Sequence, residues 1–263
     1  MLIRHDAEGV IAIGQPSHAW VSGQLARAWG NARFGVLAPR EEVCLAAEQH
    51  DIGMAAWDLE PTRNPATGLP HAFTEMPIGT HLALWSAAPR RLLAQSRYAA
   101  LLVAMHGQRL YARRNLDALA RAEADAVRTY LDQGRALQQH LVASLRADPR
   151  AAGAAAPELV ERNSRLLWTW DSLSLALCLD WAPFTADEVP SADGGALDLH
   201  LAPAGEPGRL ALDPWPFAVP QLTVRCEGRR LHGQFETDEE LLEALARARW
   251  ETVEFELRPS NVA

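Results

Sequence analysis

Glu48-Gln49-His50-Asp51-Ile52-Gly53 closes an apolar helical run and sets a histidine directly beside an aspartate. An imidazole nitrogen suits Fe, Zn, Mn or Ni, and a carboxylate can hold one ion or bridge two. Gly53 is expected to turn the chain sharply after the pair, because glycine takes a positive φ without steric cost. The dipeptide alone is common; its meaning depends on partners elsewhere in the chain.

Working outward, the helix that ends here starts after Pro39, with Glu41-Glu42 in its first turn favoured by the helix dipole. Val43, Ala46, Ala47 and His50 form its buried stripe. An earlier helix opens at Gln15-Pro16-Ser17, where proline is tolerated and Ser17 can cap. His18, Leu25 and Trp29 share one face of it, and Gly30-Asn31 ends it. Leu2-Ile3 and Val10 to Ile13, around Glu8-Gly9, predict two short strands.

Downstream, helical periodicity fails from Trp57 to Gly79, where repeated Pro and Gly predict a loop of about twenty residues. Loops of that length serve as lids or binding loops, or simply connect. Arg63, His71 and Glu75 on it are candidate substrate contacts, as is Arg109 further on. Helices follow over residues 80–95 (interrupted or kinked at Pro89), 98–109, 116–146 and 157–181, with an Ala-rich linker at 147–157. The last presents Asn163, Trp170, Asp171 and Ser174 on one face. After Pro183 come short β runs at 197–201, 209–212 and 222–225, then a hairpin turn at Glu227-Gly228 into 230–235. A capping box at Thr237-Asp238-Glu239-Glu240 begins a helix to about Ala248, and 252–257 is a final strand. These strands form a small sheet that the N-terminal strands could join.

The 263 residues, 48% of them hydrophobic, suffice for one large domain or a main domain with an appendage. The division expected is a helical metal-binding domain over 1–182 and a small β-rich α+β portion over 183–263. A net charge of −8 argues against nucleic acid as a partner and leaves a small-molecule substrate. All 25 positive side chains are arginine, so no lysine can form a Schiff base or contact a phosphate. Cys44, Cys178 and Cys226 form no CxxC pair and suggest no disulfide framework. No apolar signal core and no run of ~20 apolar residues is present, which predicts a cytoplasmic protein with no membrane partner.

The doublet does have candidate partners. His18, His81 and His106 fall near helix ends or on apolar helical faces, and Asp171 lies inside the most apolar helix. A carboxylate left alone there is costly to ionise, so it needs a cation or several hydrogen bonds. Metal binding is one common reason for four histidines and two aspartates to face one core.

The order His18, His50-Asp51, His81, His106, Asp171 resembles the HD-domain superfamily, whose dinuclear members share the order H…HD…H…H…D. Gln49 to Gly53, Met105-His106-Gly107 and Trp170 to Ser174 also resemble a bacterial family of unknown function within or beside it. The resemblance implies a mainly α fold, an HD-like helical bundle with a small β-containing C-terminal portion. It implies His18, His50, Asp51 and Asp171 around one metal, with Asp51, the catalytic bridge, reaching a second ion held by His81 and His106. Two divalent or trivalent ions are implied, Fe first, with Mn, Ni, Co, Zn or Mg as alternatives. The implied activity is phosphoester hydrolysis; mixed-valent di-iron oxygenation and non-catalytic metal sensing are the alternatives. Met54 departs from the pattern, standing where such proteins often carry Lys or His towards substrate. Without lysine, phosphate contacts fall to Arg63, Arg109, Arg113 and Arg114, and Trp20, Trp57 and Trp85 could line a pocket.

Overall fold

The chain opens with β1 (Leu2–Asp6) and β2 (Gly9–Ile13), followed by α1 (Gln15–Ala28), α2 (Arg40–Gln49) and the short α3 (Ala55–Leu59). Four longer helices come next: α4 (Ile78–Leu92), α5 (Arg97–Ala112), α6 (Arg121–Arg146) and α7 (Pro157–Cys178). Then come β3 (Phe184–Pro190), β4 (Ala196–Pro203), β5 (Arg209–Asp213), β6 (Leu222–Leu231), α8 (Asp238–Arg247) and β7 (Trp250–Pro259). The computed structural model describes residues 1–260.

All seven of these strands join one sheet in the order β1-β2-β6-β7-β5-β4-β3. Every neighbouring pair is antiparallel except β5 and β7, which run parallel. The mainly α fold with a small β portion is therefore corrected to an α+β fold, in which the sheet is a full layer. Alternation builds that layer: Val224 and Cys226 of β6, Leu199 and Leu201 of β4, and Phe255 and Leu257 of β7 are buried between exposed or half-buried neighbours. The helices cover the apolar face, α1 against β6 and α7 against β3.

Local expectations are corrected too. Glu227-Gly228 makes no hairpin turn, because β6 runs straight through it and Gly228 pairs with Ile13 on one side and Glu251 on the other. Pairing on both edges holds extended a dipeptide that would turn if it were free. β3 lies outside the strands that the sequence predicts; a register shift between Ala186 and Val189 breaks the alternation that marks a strand. The long loop is interrupted by α3 and by a 3-10 turn, Phe73–Glu75.

One apolar core draws on Leu25, Leu101, Leu102, Leu166 and Trp170 from the helices and Leu199, Leu212, Val224 and Phe255 from the sheet. Residues on both sides of position 182 thus pack into a single interior. A second cluster, with Met54, Trp85, Tyr111, Val127 and Tyr130, fills the space among α4, α5 and α6. Arg230, 8% exposed, ties three strands together by a two-pronged contact to Asp6 at 2.6 and 2.7 Å and a contact to Glu251 at 2.6 Å. No helix among the described residues is long and apolar enough to cross a membrane.

Candidate metal centre

Four helices deliver the cluster. His18 comes from the first turn of α1, His50 caps the C-terminus of α2, and Asp51 starts the 3-10 turn Ile52–Met54. His106 comes from α5 and Asp171 from α7. Gly53 does not take a positive φ, which corrects the turn expected of it. Its reason is close packing: a Cβ there would stand 2.3 Å from the Leu84 carbonyl oxygen of α4. Gly107 works similarly, since a Cβ would lie 2.7 Å from the Trp85 ring and 2.4 Å from Tyr130 Oη. Each glycine beside a cluster residue lets its element lie close against α4.

Within the cluster, His18 Nε2 lies 2.8 Å from Asp51 Oδ2, and His50 Nε2 lies 3.2 Å from Asp171 Oδ1. His50 Nε2 is also 3.7 Å from Asp51 Oδ2, and His106 Nε2 is 3.5 Å from Asp171 Oδ2. Two ligand triads share His50: His18, His50 and Asp51, and His50, His106 and Asp171, the donor atoms of each within 4.8 Å of one another. The imidazoles are held from behind. His50 Nδ1 donates to Ala47 O at 2.9 Å, which aims Nε2 at the carboxylates. His18 Nδ1 lies 2.9 Å from Ser174 Oγ, which itself contacts Ser22 Oγ and the Asp171 carbonyl.

Charge explains what the cluster needs. Burial lowers the His50 pKa, but Asp51 and Asp171 together outweigh it and hold the imidazole up at about 9. Burial raises both carboxyls, yet His50 and His18 bring Asp51 below its usual range, and His106 and His50 bring Asp171 well below. One buried carboxylate and one half-buried beside it therefore demand positive charge. His50 Nε2, Asp51 Oδ1 and His106 Nδ1 are buried and make no hydrogen bond. A divalent cation fits this donor set: three imidazoles and two carboxylates suit Fe, Mn, Co, Ni or Zn.

A cavity of about 420 Å³ reaches His18, Asp51, His106 and Asp171, with Phe73, Met76, Trp85, Trp168 and Leu175 as apolar wall. Arg113 and Arg114 also line it, and the Arg113 guanidinium stands 4.9 Å from the Trp168 ring centre. His81 lines the same cavity but joins neither triad. Its Nδ1 is 2.5 Å from Tyr111 Oη, its Nε2 accepts from Trp85 Nε1 at 2.9 Å, and burial pulls its pKa down to about 4.

The expected substrate contacts fare differently. Arg63, His71 and Glu75 do not line the cavity. The Arg63 amide donates to Asp238, His71 pairs with Thr62 Oγ1 at 2.9 Å, and Glu75 accepts from the Ala72 amide at 2.8 Å. The same loop supplies Phe73, Thr74 and Met76 instead. Arg109 pairs with Glu161 at 2.7 Å and lines a neighbouring cavity of about 440 Å³ that shares Arg113 and Trp168. Of the three tryptophans considered, Trp85 lines the site, while Trp20 and Trp57 do not. Met54 is fully buried in the second apolar cluster. Tyr111 and Trp168 also line the cavity, and neither is among the residues expected at the site. A signal existed for Trp168 and Leu175, which stand three residues before and four after Asp171 on one helical face.

Fold and cluster together define an α+β protein with a candidate metal centre. The family model described as "Protein of unknown function (DUF3891)" matches residues 1–233, and the chain belongs to that family. The match takes in all five cluster residues and β1 to β6. No curated protein and no solved structure matches the chain.

Proposed function

We propose that this chain is a metal-dependent phosphoester hydrolase whose ion is held by His18, His50, Asp51, His106 and Asp171. One observation carries the reading: two overlapping His/Asp ligand triads open on a cavity that Arg113 and Arg114 also line. A bound ion supplies Lewis-acid polarisation and lowers the pKa of a water beside it. The chain's own residues do the rest. Arg113 and Arg114 bind the phosphoryl oxygens by charge-assisted hydrogen bonds. Phe73, Met76, Trp85 and Trp168 hold the organic part of the substrate and exclude bulk water. Ala47 O and Ser174 Oγ keep the His50 and His18 rings in position.

The reading takes a single ion, because both triads use His50 and both His81 nitrogens are engaged elsewhere. Kinship with the HD superfamily belongs to the proposal, supported by the order of these residues along the chain. The test is phosphodiesterase and phosphomonoesterase turnover with Mn, Fe, Co, Ni and Zn. Arg113→Ala and Arg114→Ala are expected to raise KM by roughly 10- to 100-fold, the size of a lost hydrogen bond to a charged group, at unchanged metal content. Turnover that requires iron and dioxygen would replace hydrolysis by oxygenation, and tight metal without turnover would leave a sensor.

A further inference from the structure

We infer that Tyr111 is a hydroxyl donor to an anionic oxygen of the substrate, and that His81 is its positioning residue. The inference rests on the hydrolase reading and deepens it.

The directions of three hydrogen bonds carry the argument. An indole N–H can only donate, so Trp85 Nε1, 2.9 Å from His81 Nε2, makes that nitrogen an acceptor. An imidazole accepting at Nε2 is neutral and carries its hydrogen on Nδ1. Burial favours the same neutral form. Nδ1–H therefore donates to Tyr111 Oη, 2.5 Å away. The phenol oxygen is the acceptor in that contact, so its own hydrogen is directed elsewhere. Tyr111 Oη makes no other hydrogen bond among the described residues, and Tyr111 lines the cavity that Asp51 and Asp171 also line.

Packing makes the donor rigid. Tyr111 is 1% exposed, and the Tyr130 ring stands edge-on to it with centroids 5.4 Å apart. Gly107 leaves the space in which Trp85 and Tyr130 close on α5. A fixed neutral donor beside two arginines suits an oxygen that bears negative charge, such as a non-bridging phosphoryl oxygen, and disfavours an amine or other cation. The same bonds occupy the His81 Nε2 lone pair, which removes His81 from metal ligation.

The test uses inorganic phosphate as probe and reads two independent signals. Isothermal titration of phosphate into metal-loaded protein is expected to show about 10-fold weaker binding for Tyr111→Phe, in line with one lost hydrogen bond to a charged group, at wild-type metal content. Heteronuclear NMR of wild-type protein is expected to show His81 protonated at Nδ1, with ring-nitrogen shifts unmoved when metal is added. Equal phosphate affinity for Tyr111→Phe overturns the donor role. A His81 proton on Nε2, a metal-induced shift of its ring nitrogens, or loss of metal in His81→Gln overturns the positioning role. Phosphate that fails to bind the wild type overturns the hydrolase reading and the donor role with it, while the His81 tautomer still decides whether the Trp85-His81-Tyr111 chain exists.

Discussion

Gly53→Ala tests whether close contact between α4 and the turn after His50-Asp51 builds the site. A new Cβ would stand 2.3 Å from Leu84 O and 3.0 Å from Ala88 Cβ. Ordinary contact begins near 3.4 Å, so the turn and α4 must separate by about 1 Å. Leu84 O is backbone and cannot rotate away, so the strain falls on the elements themselves. Overpacking of this kind costs about 1–3 kcal/mol, and alanine recovers up to about 1 kcal/mol of backbone entropy. The expected net loss is roughly 1–2 kcal/mol, read as a lower urea midpoint at unchanged m-value. Because His50 and Asp51 sit on the displaced turn, metal affinity should fall with it. A variant as stable as the wild type or more so, with full metal affinity, would refute the packing argument.

Three further outcomes are expected. Asn163→Leu removes donors to Ala38 O at 2.9 Å and Tyr98 Oη at 2.8 Å, and leaves that carbonyl unpaired; urea unfolding should show a loss of about 1–3 kcal/mol. Asp6, whose hydrogen bond from Arg230 lowers its pKa from 3.8 to about 2, stabilises the fold above the unfolded value, and that contribution disappears as pH falls through about 2. Unfolding midpoints between pH 5 and pH 2 should therefore fall less steeply in Arg230→Met than in the wild type. Chelation should lower the melting temperature: an ion at about 100 times its Kd stabilises by about 2.7 kcal/mol, which corresponds to roughly 5–10 °C for a chain of this size. That shift should be absent from Asp51→Asn.

The inward orientation of His18, His50, His106 and Asp171 is legible in the sequence because each lies on a helix, or at the end of one, whose apolar stripe settles which way its face points. Asp51 follows from its neighbour. His81 shares that inward orientation, but its partners are decided by Trp85 one turn on and by Tyr111, 30 residues away, which no local pattern reveals. The extent of the sheet is hard to see in the sequence for a different reason. Its strands bury one face only, and charged residues such as Arg225, Glu227, Glu254 and Glu256 dilute their hydrophobicity. Its parallel contact, between β5 and β7, joins segments separated by β6 and α8. Non-local pairing of that sort is set by the whole fold. The loop's charged residues attract attention in the sequence, yet Phe73, Thr74 and Met76 are what it turns towards the cavity.

The most direct test of the metal centre is metal content per chain, by elemental analysis of protein purified without added metal. One transition-metal ion per wild-type chain is expected, lost in Asp51→Asn and Asp171→Asn and retained in His81→Gln. Metal that persists in both aspartate variants, or none in folded wild-type protein offered each candidate ion, would contradict the account.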